Sequence, residues 1–450
     1  MAENEGFDAI IIGAGIIGAN VGFELSKAGY RTLNIDKLPA AGYGSTANTC
    51  AIIRCHYSTW AGVAMAYESL FYWRNWGDYL EVDDERGLAR YIECGGVYMG
   101  NDERYTDKVL PLFDEIGVPY EIWSTATLQE RIPGIDIGRH SPPKRADDEH
   151  FFDDPTSELQ SAVYSPAAGY ITDPQLSTHN LQRATEAKGG EFRFSTEVAG
   201  IGTGAGRVTG VELADGTFIE APIVVNVAGP HSFVINRMAG VADAMNIKTR
   251  ALRHEVHHVP QPDRLDFENH GFMVGDDDVG TYFRPEVGGN LLVGSQDPEC
   301  DPQEWIDNPD EFDRELTEDQ WRTQVYRLAR RLPELGIPNT KKGVVDLYDV
   351  SDDWIPIYDR TDLDGFYLAI GTSGNQFKNA SVAGYCMAEL IQRVEAGHDH
   401  DADPVKVTQR FSGLELDMGA YSRNRAINRD SSFSVAVPLS VKPLAIRTEA

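Results

Sequence analysis

Two stretches of this sequence carry residues whose types and spacing suggest chemistry. In GTSGNQFKNASVAG, residues 371–384, Lys378 stands where glycines and a serine give way to a helical pattern through Val382, Met387, Leu390 and Ile391 to about Val394. Helix N-termini carry partial positive charge and favour anions, so a lysine in the first turn has the wrong sign unless something negative lies nearby. In FDAIIIGAGIIGANVGFELSKAGYRTLNIDK, residues 7–37, Gly13, Gly15 and Gly18 form GxGxxG, and Asp36 follows 18 residues after Gly18. Each position has a task in holding a dinucleotide. Gly13 makes a tight turn, Gly15 lets backbone amides approach a pyrophosphate, Gly18 lets a helix pack on a strand, and Asp36 accepts from ribose hydroxyls.

The elements that must position these residues are legible around them. The continuous apolar run Ala9 to Ile12 predicts a buried parallel strand. Ile17, Val21 and Leu25, spaced by four, predict the helix that follows; Gly29 ends it, and Thr32 to Ile35 form a second strand. Strand, glycines, helix, strand and acid in this order make the fingerprint specific. It does not separate NAD from FAD. A flavin reductase that also binds nicotinamide usually needs a second such fingerprint, and GIGTGAGRVTG, residues 200–210, has the wrong spacing. That stretch predicts a hairpin, followed by another turn at Asp215 and Gly216.

At 450 residues the chain exceeds the size at which single cores stop growing, which predicts more than one domain. Residues 1–88, 160–235 and 342–400 are expected to form the nucleotide domain, with 89–159 and 236–341 inserted as a substrate domain and 401–450 as a C-terminal arm. The second insertion contains strand-like runs, HEVHHVP and GTYFRPEVGGNLLVGS, then an acidic helical segment around Trp305 to Leu332. The arm is locally basic at Arg423, Arg425 and Arg429, and is expected to pack on its own body or against another subunit.

A formal charge of -30 argues against nucleic acid and anionic membrane surfaces as partners, and fits either a solvated acidic surface or attraction of a cationic substrate. Cys50, Cys55, Cys94, Cys300 and Cys386 form no CxxC, which suits reduced thiols and a cytoplasmic location. The start, MAENEGFDAIII, has no basic n-region or cleavage site, and its apolar run is short of a membrane span. No HExxH, nucleophile elbow or metal-ligand cluster competes, and no metal is expected.

The fingerprint, GSTANTCAIIRCHYS (44–58), GYITDP (169–174), VVNVAGPHS (224–232), YFRPEVGGNLLVG and DLYDVSDDWIPI (346–357) together resemble the D-amino-acid oxidase superfamily, within it the sarcosine oxidase, dimethylglycine dehydrogenase and glycine oxidase branch. The resemblance spans roughly Phe7 to Val394. It implies an α/β plus α+β architecture, a Rossmann-like FAD-binding domain interleaved with an antiparallel-sheet substrate domain. It implies FAD held by Gly13, Gly15, Ile16, Ile17, Gly18, Asp36, Lys37, Gly44, Ser45, Thr46, Thr49, Cys50, Ala51, Ile52, Val198, Ala228, Gly229, Gly374, Asn375, Gln376, Phe377 and Lys378. It also implies hydride transfer from the carbon beside nitrogen in an N-alkylated or similar amino acid, with hydrolysis of the resulting imine.

Residue by residue, Arg54 falls where sarcosine oxidases grip the substrate carboxylate, and Lys378 where they supply a lysine to the same group. The alternatives are a salt bridge for Arg54 and a solvated side chain for Lys378. Backbone amides from Asn375 to Phe377 are placed to stabilise a reduced, anionic flavin. His254 and Tyr348 are candidate bases by position, with a satisfied core histidine or a packed tyrosine as the alternative. Three departures from the branch follow. Asn48 and Asp346 stand where some relatives attach FAD covalently, which implies noncovalent FAD, and Leu291 stands where oxygen-using sarcosine oxidases place a lysine, which leaves oxygen or another carrier as acceptor. The segment DLYD lacks the arginine of glycine oxidases, which makes glycine a weaker substrate. Oxidation of a 2-hydroxy acid, or a flavoprotein subunit or assembly role with the arm as contact surface, are the other readings.

Overall fold

The computed structural model describes residues 6–100 and 103–429; the remainder of the arm, 430–450, lies outside the described residues. A six-stranded sheet runs in the order Ile357–Arg360, Phe366–Ile370, Ile223–Asn226, Ala9–Ile12, Thr32–Ile35, Glu191–Arg193, parallel except at its first pair. The strand Ala9–Ile12 is buried on both faces, as its unbroken apolar run requires: Ala9 and Ile11 enter one core, Ile10 and Ile12 the other. On the first face the helix Ile16–Lys27 packs against Ala380–Glu395 and Pro174–Ala187. The other core takes in Val198, Val208, Val211, Leu213 and Ile219 from a three-stranded antiparallel sheet that contains both anticipated hairpins.

The second body is a nine-stranded sheet, antiparallel apart from the pairing of Gly96–Met99 with Met273–Asp276. Its long strand Thr249–Pro260 pairs with Asn290–Ser295, with Glu304–Ile306 and with Gly343–Ser351. The helix Glu318–Arg331 covers one face, burying Trp321, Val325 and Leu328 with Phe283, Leu291 and Val293.

Several expectations change here. Trp305 lies in the strand Glu304–Ile306, and the helix begins only after Thr317, whose side chain accepts from the Gln320 amide; a three-residue strand is too short to show a period. The strand Gly343–Ser351, inside the range 342–400, joins the large sheet because its partner there is Thr249–Pro260, and Ser161–Ser165 likewise pairs with Gly96–Met99 and Glu121–Ser124. As far as it is described, the arm docks on its own chain. Val407, Leu416, Met418 and Tyr421 join the helical core. Buried Arg423 reaches Asp359 at 3.1 Å and Asp401 at 2.8 Å, and Arg425 reaches Asp353 at 2.7 Å.

Between Ile306 and Thr317 the chain leaves the large sheet and crosses to the parallel one as a strap. Arg253, paired with Glu255 at 2.8 Å, donates from Nε to the Asp313 carbonyl at 2.8 Å and from Nη2 to the Glu315 carbonyl at 2.6 Å, anchoring its return. Its outer turn is tied to the other body by Asp310, which meets Lys37 and the imidazole Nε2 of His231, the latter at 3.0 Å. No helix of the described residues is long and apolar enough to cross a membrane.

Candidate active site

The two bodies enclose a cavity of about 450 Å³ that runs from Asp36 past the glycine turn to Lys378. At one end Asp36 Oδ2 accepts from the Ala14 amide at 2.8 Å and Oδ1 from the Leu38 amide at 2.9 Å, fixing the carboxylate beside the turn. Each oxygen keeps a second lone pair for a further donor. Every residue that the resemblance gives to FAD borders this one cavity, as do Arg54, Tyr348 and His254.

At the far end, Arg54 and Lys378 are 5 % and 4 % exposed, so neither is a solvated surface cation. Lys378 sits in the short turn Phe377–Asn379 that leads into the helix Ala380–Glu395. Its Nζ donates to the Asn375 carbonyl at 2.6 Å and to the Tyr57 hydroxyl at 3.2 Å, while that hydroxyl donates to the same carbonyl at 2.7 Å. Arg54 donates from Nη1 to the His56 carbonyl. Both cations lie by the ring of Tyr57, Arg54 Cζ at 5.1 Å and Lys378 Nζ at 5.5 Å from its centre. Among the described residues neither has an acidic partner within ion-pair distance, which gives the salt-bridge alternative for Arg54 no partner there. Burial first, then the neighbouring guanidinium of Arg54, pushes the Lys378 ammonium well below the usual lysine range.

Tyr348 and His254 face the cavity from adjacent strands with their rings stacked, centroids 4.0 Å apart. Burial lowers His254 to about 4, so the imidazole is neutral at pH 7; burial raises Tyr348, which keeps its proton.

The chain matches the DAO family model, described as FAD dependent oxidoreductase, over residues 8–390. It belongs to this family of flavoenzymes. Human mitochondrial sarcosine dehydrogenase is 24% identical, the match covering 98% of this chain and 45% of that protein, so the chain spans about half the length of that relative. The sarcosine oxidase subunit beta of an Arthrobacter species is 23% identical over 87% of this chain and 88% of its own. The fold is shared with L-proline dehydrogenase from P.horikoshii, with a TM-score of 0.71 at 22% identity over 87% of this chain and 95% of that one.

Within a DAO flavoenzyme, the cavity suits FAD in its extended form. Its lining offers the glycine turn for the pyrophosphate and a carboxylate for the ribose. Gly15 stands at the N-cap of Ile16–Lys27, where an ideal Cβ would lie 3.2 Å from Thr46 Oγ1. Asn48 Nδ2 donates to Asp346 Oδ2 at 2.6 Å, and Ser45 Oγ donates to the Leu347 carbonyl at 2.8 Å. Asn48 and Asp346 are therefore engaged with each other.

Two details depart from the expectations. Leu291 points away from the FAD cavity into the core under Trp321; strand alternation instead turns Leu292 toward Cys50, Val256 and Tyr282. Both residues are aliphatic, and the strand Asn290–Ser295 carries no lysine. Of the amides from Asn375 to Phe377, that of Asn375 is taken by the Thr372 carbonyl at 3.0 Å. Sequence reasoning also missed Tyr57, which braces Lys378, and the strap residues Asn308, Pro309, Asp310 and Phe312, which border the same cavity. Tyr57 stood inside the quoted motif without a role, whereas the strap gave no signal beyond its acidity.

Proposed function

We propose that this flavoenzyme oxidises the C–N bond of a small amino acid, N-alkylated as in sarcosine, and that Arg54 and Lys378 hold its carboxylate. The observation that carries this reading is the pair of buried cations with no acidic partner among the described residues, on the wall of the FAD cavity. An unpaired buried charge is costly, and an anionic ligand removes the cost. The activities for which the relatives are named, on sarcosine and L-proline, agree with a carboxylate-bearing secondary amine. FAD, when bound, accepts the hydride from the carbon next to nitrogen.

The remaining work falls to the chain. Arg54 grips the carboxylate through its planar fork and Lys378 adds a point charge. The buried cations and low-dielectric walls lower the pKa of the substrate ammonium, since they disfavour a further positive charge. Of the two candidate bases, neutral His254 can accept a proton, whereas Tyr348 retains its own and serves as a hydrogen-bond donor. FAD is held noncovalently, because Asn48 and Asp346 offer neither imidazole nor thiol. Acid precipitation is expected to leave all the flavin in the supernatant. The absence of a lysine from the strand Asn290–Ser295 favours an acceptor other than oxygen, which predicts faster reoxidation by an artificial electron carrier than by air-saturated buffer.

The test is an anaerobic panel of amino, N-methyl amino and 2-hydroxy acids read at the flavin band. Bleaching by N-methyl amino acids supports the proposal, bleaching by hydroxy acids alone replaces it with alcohol oxidation, and no bleaching favours a non-catalytic subunit.

Lys378 gives a pH signature. Its pKa is lowered in the free site, and a bound carboxylate raises it, so binding takes up a proton between the two values. Affinity for a carboxylate is full below the free-site pKa and falls as pH rises through that window, by up to about tenfold per pH unit. Calorimetry of 2-methylalanine, which lacks the oxidisable hydrogen, in buffers of different ionisation heat is expected to show this uptake. The Lys378→Met variant should lack it.

A further inference from the structure

Behind His254 lies a second, much smaller chamber. Its volume is about 20 Å³, room for a single water, and its walls include Ser295, Asp297, Asp301, Gln303 and Gln324. His254 lines both this chamber and the FAD cavity. Its Nε2 lies 3.3 Å from Oδ1 of Asp297. The other oxygen, Oδ2, is buried without a hydrogen-bond partner, and so is Oε1 of Gln324 across the same chamber. Two buried, unpartnered oxygens around a space of this size suit one water, which accepts from Asp297 Oδ2 when that oxygen is protonated and donates to Gln324 Oε1, since unsatisfied polar atoms are expensive and rare. Asp297 holds a left-handed backbone, φ 55°, at the end of the strand Asn290–Ser295, and the outer wall at Gln303 is exposed to solvent.

We propose that Asp297, acting through His254, and the chamber behind it carry the proton shed by the substrate ammonium out to solvent. The proposal rests on the amine reading above. His254 with its proton on Nε2 presents Nδ1 as acceptor. The ammonium N–H bond breaks and its proton joins Nδ1; Nε2–H passes to Asp297 Oδ1, while the proton on Oδ2 leaves to the chamber water. One proton enters, one leaves, and nothing in the relay is oxidised. Burial raises Asp297 well above the usual carboxylate range, so it starts with the proton this sequence needs.

The charged and titratable groups facing the pair are Tyr348 and Asp346 on Gly343–Ser351, the latter opposite His254 and accepting from Asn48 at 2.6 Å, Arg253 beside His254 on its own strand, and Asp301, held by Arg327 at 2.7 Å and within 3.9 Å of Arg145. The arginines stay charged throughout the working range, and Tyr348 is raised by burial, so His254 and Asp297 dominate the response.

The test uses the FAD-loaded full chain in anaerobic stopped flow with an N-methyl amino acid that bleaches the wild type. Flavin absorbance and proton release to an indicator dye are followed together from pH 6.5 to 10.5. Asp297→Asn is expected to slow bleaching at pH 7 by about 10²-fold, the lower range for a lost proton transfer. The deficit should shrink to within about threefold near pH 10.4, where an alkylammonium arrives half deprotonated. Gln324→Leu, which leaves Asp297 in place, should delay proton release relative to bleaching. An equal loss at every pH, or no loss, in Asp297→Asn overturns the proposal, as does undelayed proton release in Gln324→Leu. If no amine bleaches the wild type, the amine reading falls and takes this relay with it; if amines bleach wild type and Asp297→Asn alike, only the relay falls.

Discussion

Replacing Arg54 by methionine should leave a yellow, folded protein whose kcat/KM for a carboxylate-bearing amine is lower by about 10²–10³-fold. Truncating one side of a desolvated charged pair typically costs about 2–5 kcal/mol, and the fork of Arg54 supplies the more directional half of the proposed clamp. The expected loss corresponds to about 3–4 kcal/mol. Arg54→Lys should recover only part of it, because an ammonium keeps the charge but not the bidentate geometry. The decisive comparison is an amine of the same shape without a carboxylate. Its turnover is poor in the wild type and should be unchanged in Arg54→Met, since the lost interaction was never made. An equal fall for both amines would assign Arg54 a structural role, through its bond to the His56 carbonyl.

Gly13→Ala is the second large effect. Gly13 has φ 120°, and an ideal Cβ there would lie 2.3 Å from the carbonyl oxygen of Val227 and 2.9 Å from its carbon. These are backbone atoms, and the Val227 amide donates to Ile12 at 2.9 Å, so they cannot withdraw without opening the central ladder. A penalty of about 4 kcal/mol or more is expected, the range reserved for a strained backbone combined with a clash. Purified Gly13→Ala should carry little FAD and unfold at distinctly lower urea than the wild type. A variant with full flavin content and unaltered urea midpoint would contradict the packing described for this turn.

How much could be read from the sequence depended on how local the signal was. The strand, turn and helix from Ala9 to Lys27 declare themselves because glycine spacing and a 3.6-residue period are short-range properties. Arg54 and Lys378 could be assigned to one cavity because each sits inside a recognisable motif. Tyr57 could not, since it meets Lys378 across 321 residues and nothing local announces the contact. The side chains of Leu291 and Leu292 part company because of the period of a strand, where one residue reverses the face. The allegiance of Gly343–Ser351 was hidden for another reason: a strand pattern says that a segment pairs, not which of two sheets receives it.

The strap has a consequence for how cofactor and protein come apart. Its outer turn is fastened to the nucleotide side by Asp310, Lys37 and His231, side chains that are 56%, 31% and 26% accessible to solvent. Contacts that wet are weakened by dissolved ions, whose screening distance contracts to about 3 Å in molar salt. Concentrated neutral salt should therefore unlatch the strap while the deeply buried glycine turn stays intact. Dialysis against it, with no acid step, is then a gentle route to flavin-free polypeptide, and lowering the ionic strength with fresh FAD should close the protein around it again.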